Sequence, residues 1–393
     1  MAFKGIDFFK LDNLLSKEEK LIRNSVREYL SKEVEPYVVD AFHGEEPLDL
    51  RNIAPQMGEL GMLGAFLPTE YGCTGANYVE FGLICQEVER VDSALRSFVA
   101  VTSGLVMYPI WRYGSEEQRH YWLPKLASGE TIGCYGLTEP NHGSDPGSME
   151  STAQWDGEQW VINGSKTWIT EADIADMAVV FAKDVQDGKI KGSILESGTK
   201  GFTQSSLDQK GSMRAGGVGE LGMVNCKVGE ENRLPDAYGL KAPFTCLNQA
   251  RYGISWGGLG AAMDCYDTAL NYCKQRKQFD EPLSSYQLVQ DKLVHMFMEI
   301  GKGQLVSHRV GRLLDEGKSI PEQISFAKKN NVSVARICAR TARDLLGANG
   351  ISLDYSPIRH MANIESVYTY EGTNDIHTLI LGRHITGEQA FKK

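Results

Sequence analysis

The chain has 393 residues, 42% hydrophobic and 23% charged, which suits a soluble globular protein of two or three domains with a large buried core. A formal net charge of −10 leaves no basic surface for nucleic acid or for polybasic membrane attachment, so the partners should be small molecules or other proteins. The eight cysteines, at 73, 85, 134, 226, 246, 265, 273 and 338, form no C-x-x-C pair, which argues against a zinc cage or redox dithiol and for free thiols in a reducing compartment.

Ser16-Lys17-Glu18-Glu19 reads as a capping box, and Leu21, Ile22, Val26, Tyr29, Leu30 and Val34 then recur at helical spacing up to Pro36. Further helices are predicted at Ile53–Leu63, Tyr78–Val91 and Glu116–Ser128, which makes residues 1–130 a helical domain. From 131 to 242 the texture changes to short β-favouring runs, Gln159–Asn163, Met177–Ala182 and Ser193–Glu196, separated by Gly, Asp and Asn. Helical periodicity returns over 243–393, with one stripe through Leu288, Val289, Leu293, Met296, Phe297, Ile300 and Leu305 and another over Ile324–Leu346. Such stripes suggest a bundle that also packs against other subunits. The result is a mainly α chain with a central β domain, and no G-x-G-x-x-G follows a strand to make a dinucleotide fold. The first thirty residues carry acidic groups and no apolar signal core, and no uninterrupted apolar stretch reaches spanning length. The chain therefore reads as cytoplasmic, without membrane insertion.

Four segments concentrate Gly, Thr, Ser and aromatic residues: Cys134-Tyr-Gly-Leu-Thr-Glu-Pro-Asn-His-Gly-Ser-Asp145, Lys166-Thr-Trp-Ile-Thr170, Arg276-Lys-Gln-Phe279 and Tyr370-Glu-Gly-Thr-Asn-Asp-Ile376. Singly, each also fits a turn, a core Trp or a chain bend. Together and in this order they resemble the acyl-CoA dehydrogenase family over essentially the whole chain, with the glutaryl-CoA type the best match. Glu139-Pro140-Asn141, Tyr370-Glu371-Gly372-Thr373, and the tail Leu381-Gly382-Arg383 through Gln389-Ala390-Phe391 carry the resemblance.

The resemblance implies an N-terminal helical domain, a middle β-barrel-like domain and a C-terminal four-helix bundle, assembled as a homotetramer. It also implies FAD. Tyr135, Leu137 and Thr138 would lie against the isoalloxazine, Gly143 and Ser144 near the pyrophosphate and the thioester entrance, Trp168 over one flavin face, and Thr170 at N5. Thr373 would also contact the cofactor. Arg276, Gln278 and Phe279, with the turn containing Asp344, Leu345 and Gly347, would hold the adenine and pyrophosphate end from a neighbouring subunit; Arg276 alone also fits a solvated cation.

A carboxylate in a water-poor pocket is what removal of a thioester α-proton requires, and Glu371, between Tyr370 and Gly372, fits that need. Its N–H would help hold the thioester oxygen, Arg251 would support it, and Phe244 and Leu247 would line the pantetheine tunnel. In Glu89-Arg-Val-Asp-Ser-Ala-Leu-Arg96-Ser97 the resemblance is to the glutaryl type: Arg96 would pair with a distal substrate carboxylate, assisted by Ser97, Glu89 and Tyr370. Arg96 also fits a surface pair with Asp92 at i, i+4. The chain departs from the family pattern at Gly216-Gly217-Val218, where relatives carry Ser-x-Thr, and at Asp280, Ala348 and Glu171.

The activity implied is α,β-dehydrogenation of glutaryl-CoA with decarboxylation to crotonyl-CoA, electrons going to an electron-transferring flavoprotein. Tyr370 before the glutamate matches the decarboxylating relatives. The departures leave open another short-chain, dicarboxylic or cyclic acyl-CoA, an acyl-CoA oxidase, or a catalytically silent binding protein on the same fold.

Overall fold

The computed structural model describes residues 3, 5–44 and 48–391. The capping box forms as read: Ser16 Oγ accepts from Glu19 N at 3.1 Å and the Glu19 carboxylate accepts from Ser16 N at 2.8 Å, opening α1 (Lys17–Tyr29). The helical path then widens into a π turn at Leu30–Val34 and tightens at Glu35–Tyr37 around Pro36, before α2 (Val38–His43) and α3 (Leu50–Glu59). That third helix starts earlier and ends sooner than the Ile53–Leu63 periodicity predicts, because Asp49 caps it and Gly61, at φ 68, turns the chain.

Next come α4 (Tyr78–Val91), α5 (Ser93–Val101), a π stretch at Thr102–Met107, α6 (Tyr108–Tyr113) and α7 (Glu116–Ala127). The run Ser93–Tyr113 is long and apolar enough to cross a membrane by length and composition alone, although it is not an uninterrupted apolar stretch. Arg96, Ser97, Thr102 and Ser103 break its hydrophobicity in sequence, yet 94% of its apolar window is buried within the fold.

Eight strands follow: β1 (Gly133–Gly136), β2 (Thr152–Trp155), β3 (Trp160–Thr170), β4 (Met177–Asp184), β5 (Ile190–Glu196), β6 (Phe202–Ser206), β7 (Val218–Val228) and β8 (Arg233–Tyr238). They pair in the order β6-β7-β3-β2-β4-β5-β8, with β1 running parallel beside β4. The central β4 is buried on both faces and separates two apolar clusters, one around Tyr135, Val179 and Phe181 and one around Cys134, Ala178 and Val180. Strand β3 runs seven residues beyond the predicted Gln159–Asn163 and brings Thr170 against Ser97 of α5. Its ladder with β7 shifts register between Lys166 and Ile169, and there Trp168 takes φ 59.

The C-terminal part consists of α8 (Lys241–Gln275), a hairpin of β9 (Lys277–Gln278) and β10 (Glu281–Pro282), α9 (Gln287–Asp315), α10 (Pro321–Leu345), α11 (Ser356–Thr369) and α12 (Asn374–Thr386). Helix α8 has no single apolar stripe because neighbours surround its middle, from Ala250 to Met263. It lies so close to α4 that a Cβ on Gly260 would stand 1.9 Å from the Gln86 carbonyl oxygen. Gly260→Ala is therefore expected to cost on the order of 1–3 kcal/mol by forcing the two helices apart, read as a lower thermal unfolding midpoint. An unchanged midpoint would mean that this helix pair yields easily.

Candidate active site

Tyr370 ends α11, and the chain then turns through Glu371 at φ 53 and Gly372 at φ 90 before Thr373 caps α12 by accepting from Ile376 N. This turn points the Glu371 side chain inward, where both carboxylate oxygens are buried and, among the described residues, have no hydrogen-bond partner. Burial raises the Glu371 carboxyl above the ordinary range, against the opposing pull of Arg96, Lys328 and Arg251; Glu89 adds to the rise. Arg251, from α8, donates through Nε to the Glu371 carbonyl at 2.8 Å, so it supports the main chain of the turn.

Arg96, on α5, is fully buried. Its Nε pairs with Glu89 Oε2 at 2.6 Å, its Nη2 donates to Tyr370 Oη, and its Nη1 is buried without a partner among the described residues. The surface pair with Asp92 does not form: Asp92 faces Arg359 at 3.3 Å and Asn363 at 2.9 Å. Ser97 Oγ lies 3.3 Å from Thr170 Oγ1, so the end of β3 meets α5 beside the arginine. Arg96, Ser97, Glu89, Thr170, Tyr370, Glu371 and Arg251 thus come together from both helical parts and the sheet.

Other predicted residues sit differently. Tyr135 and Leu137 are buried in the apolar cluster shared with Phe181, and Tyr135 Oη reaches the Pro243 carbonyl at 3.5 Å. Leu247 packs on that cluster, while Phe244 is exposed on the same first turns of α8. Thr138 is half-buried, and its carbonyl accepts from Thr167 N. Gly143 and Ser144 lie on an exposed loop anchored by Glu139, which takes N–H donors from Glu150 and Ser151 and pairs with buried Lys166 at 2.7 Å. Burial pushes the Glu139 carboxyl up, but these donors outweigh it and hold it at about 2. Trp168 is 66% exposed.

Arg276, Gln278 and Phe279 are exposed at the hairpin, with Phe279 90% uncovered. Asp344 pairs with Lys292 at 2.5 Å, Leu345 is buried, and Gly347 turns the chain at φ 59. Among the described residues no hydrogen bond or ion pair joins this group to the Glu371 pocket.

Lys328 escaped the sequence reading, and Glu171 entered it only as a departure from the family pattern. Lys328 lies within an apolar stripe of α10, four residues after Ile324 and four before Val332, and its ammonium reaches the Glu371 turn. Glu171 is buried at φ 54 and accepts from Gly217 N at 3.2 Å. A Cβ at Gly217 would lie 2.7 Å from its Oε2, so Glu171 and the glycine pair are matched departures. Burial, then Asp173, pushes the Glu171 carboxyl up to about 8. A folded-state value above the ordinary 4.5 contributes stability that is present below 4.5 and lost as pH rises through about 8. Glu171→Gln is expected to flatten this fall when thermal midpoints are compared from about pH 5 to about pH 9; parallel curves for the two proteins would refute it.

Three acyl-CoA dehydrogenase family models match the chain: the N-terminal domain at residues 16–130, the middle domain at 134–226 and the C-terminal domain at 237–386. The chain belongs to the acyl-CoA dehydrogenase family. It is accordingly an FAD-dependent oxidoreductase acting on CH–CH bonds. Glutaryl-CoA dehydrogenase of Desulfococcus multivorans is 33% identical over 379 residues, covering 94% of this chain and 97% of the relative. The human mitochondrial short-chain specific acyl-CoA dehydrogenase is 30% identical over 375 residues, covering 94% and 90%. Among solved structures, a glutaryl-CoA dehydrogenase from Mycobacterium smegmatis in complex with FADH2 superposes with a TM-score of 0.95 at 46% identity, covering 98% of each chain.

Proposed function

We propose that this family member oxidises glutaryl-CoA at its Cα–Cβ bond, decarboxylates the product to crotonyl-CoA, and passes its electrons to an electron-transferring flavoprotein. The observation that carries the substrate is the pocket's charge balance. Two buried guanidiniums, Arg96 and Arg251, and Lys328, which burial lowers to about 7, stand around Glu89 and Glu371, whose own carboxyl burial raises. The unpartnered Nη1 of Arg96 marks where the surplus lies. A thioester that ends in a carboxylate supplies the missing anion, whereas a plain acyl chain leaves a buried donor unpaired.

The residues suit FAD. Trp168 leaves a broad aromatic face uncovered one residue from the Ile169-Thr170 strand end, and a Cβ at Gly143 would meet nothing within 4 Å. Trp168, Thr170, Thr138, Gly143 and Ser144 would hold it within one subunit, and Thr373 could add a hydroxyl contact. Arg276, Gln278, Phe279 and the Asp344–Gly347 turn would hold its far end across a subunit boundary. Exposed Leu288, Val294 and Met298 on α9, with Phe326 and Ile337 on α10, support association, and we propose a homotetramer. The eight buried free thiols agree with a reducing, cytoplasmic setting.

In the proposed reaction Glu371 removes the α-proton while its own N–H holds the thioester oxygen. Bound FAD supplies the acceptor for the β-hydrogen as hydride. The α,β-unsaturated diacid then loses CO2, its electron pair spreading to the γ-carbon and thioester, and Glu371 returns its proton to the γ-carbon. The phenol of Tyr370 occupies Nη2 of Arg96 and so loosens the arginine's grip on the departing carboxylate.

Anaerobic titration with glutaryl-, butyryl- and longer acyl-CoA, followed by mass analysis, tests the reading. Glutaryl-CoA should bleach the flavin and yield crotonyl-CoA and CO2, with Tyr370→Val shifting product toward glutaconyl-CoA. Glutaconyl-CoA as sole wild-type product would refute decarboxylation. Abundant peroxide under air would favour an oxidase, and no bleaching by any acyl-CoA would favour a silent binding protein.

A further inference from the structure

Lys328 is 2% exposed, yet among the described residues no carboxylate lies within ion-pair distance of its ammonium. Its three N–H groups go to three consecutive main-chain carbonyls: that of Tyr370, that of Glu371 at 3.3 Å and that of Gly372 at 2.7 Å. With its hydrogen bonds all going to peptide carbonyls and burial lowering its ammonium to about 7, Lys328 is a poor device for stability. What it does locally is specific. Three carbonyl oxygens converging on one point repel each other unless a cation sits between them, and the residue in the middle has the left-handed φ that a glutamate rarely adopts.

The Tyr370 carbonyl has a second property: it belongs to the same peptide unit as the Glu371 N–H. A cation bonded to that oxygen draws electron density along the amide and strengthens the N–H as a donor. We propose that Lys328 is a positioning residue for α-proton abstraction: its ammonium gathers the Tyr370, Glu371 and Gly372 carbonyls, fixing the turn that aims the Glu371 carboxylate and polarising the peptide whose N–H meets the thioester oxygen. The proposal rests on the reading of Glu371 as the base. Arg251 braces the same turn through the Glu371 carbonyl alone, so it cannot replace the contact to Tyr370.

The test uses FAD-loaded Lys328→Met and Lys328→Gln proteins with glutaryl-CoA and, in parallel, butyryl-CoA as probes. Two rates are followed: flavin bleaching without oxygen, and deuterium entry at the substrate α-carbon in D2O, which reports proton abstraction independently of hydride transfer. The methionine variant should keep its FAD and a KM within about threefold of wild type, while both rates fall roughly 30-fold or more. The glutamine variant keeps neutral N–H donors and should recover part of that loss. Wild-type deuterium entry in the methionine variant, or a change confined to KM, would overturn the proposal. So would loss of FAD and fold in both variants, which would make Lys328 a folding residue. Glu371→Gln serves as the control: if it still exchanges the α-proton, the base reading itself fails, whereas a silent Glu371→Gln beside a normal Lys328→Met overturns the Lys328 role alone.

Discussion

Glu371→Gln is expected to retain FAD and lose at least about three orders of magnitude in turnover, because an amide cannot accept the α-proton. The geometry makes this residue hard to replace. Its two oxygens are buried and unpartnered among the described residues, so none of these competes with the substrate for them. Burial raises the carboxyl, which makes the ionised form a stronger base, while Arg96, Lys328 and Arg251 keep that form accessible. The sign of the pH dependence follows: kcat/KM for wild type should rise as pH passes upward through a value above the ordinary carboxylate range. The residual activity of the glutamine variant should lack that rise. Near-normal turnover would move the base elsewhere, and an unshifted rise would mean that water reaches the carboxylate.

How much of this was legible in the sequence depended on whether local chemistry or tertiary contact set each feature. The capping box at Ser16 and the bounds of Tyr78–Val91 were readable because caps and periodicity are local. Helix α8 was not, since its middle is enclosed on all sides and its glycines serve contact with α4 and α10 rather than turns. Strand β7 begins at Val218 just after the Gly216-Gly217 pair, which reads as a break until Glu171 is seen to need the space. The site divided the same way. Glu371, Arg96 and Tyr370 lay in motifs dense enough to read, whereas Lys328 carries no motif, only the oddity of a charge on an apolar helical face. The oddity was a signal: a core-facing lysine must find acceptors somewhere, and here they are the carbonyls of the Glu371 turn.

Arg96→Ala is expected to lower kcat/KM for glutaryl-CoA by about a hundredfold more than for butyryl-CoA, since only the diacid then buries an unpaired carboxylate. Some loss on both substrates is built into the geometry. Without Arg96, Glu89 loses its 2.6 Å partner inside the protein and the Glu371 carboxyl loses the cation that most favours its ionised form. The acid limb of the pH profile should therefore move to higher pH on either substrate, and the ratio between substrates isolates the carboxylate contact. Arg96→Lys separates charge from shape. An ammonium can pair with Glu89 or with the substrate but cannot span Glu89, Tyr370 and a third oxygen as the planar guanidinium does, so its selectivity should fall between those of wild type and alanine. Equal losses on glutaryl- and butyryl-CoA in both variants would confine Arg96 to holding Glu89 and Tyr370 in place, and the surplus positive charge of the pocket would then need another anion to explain it.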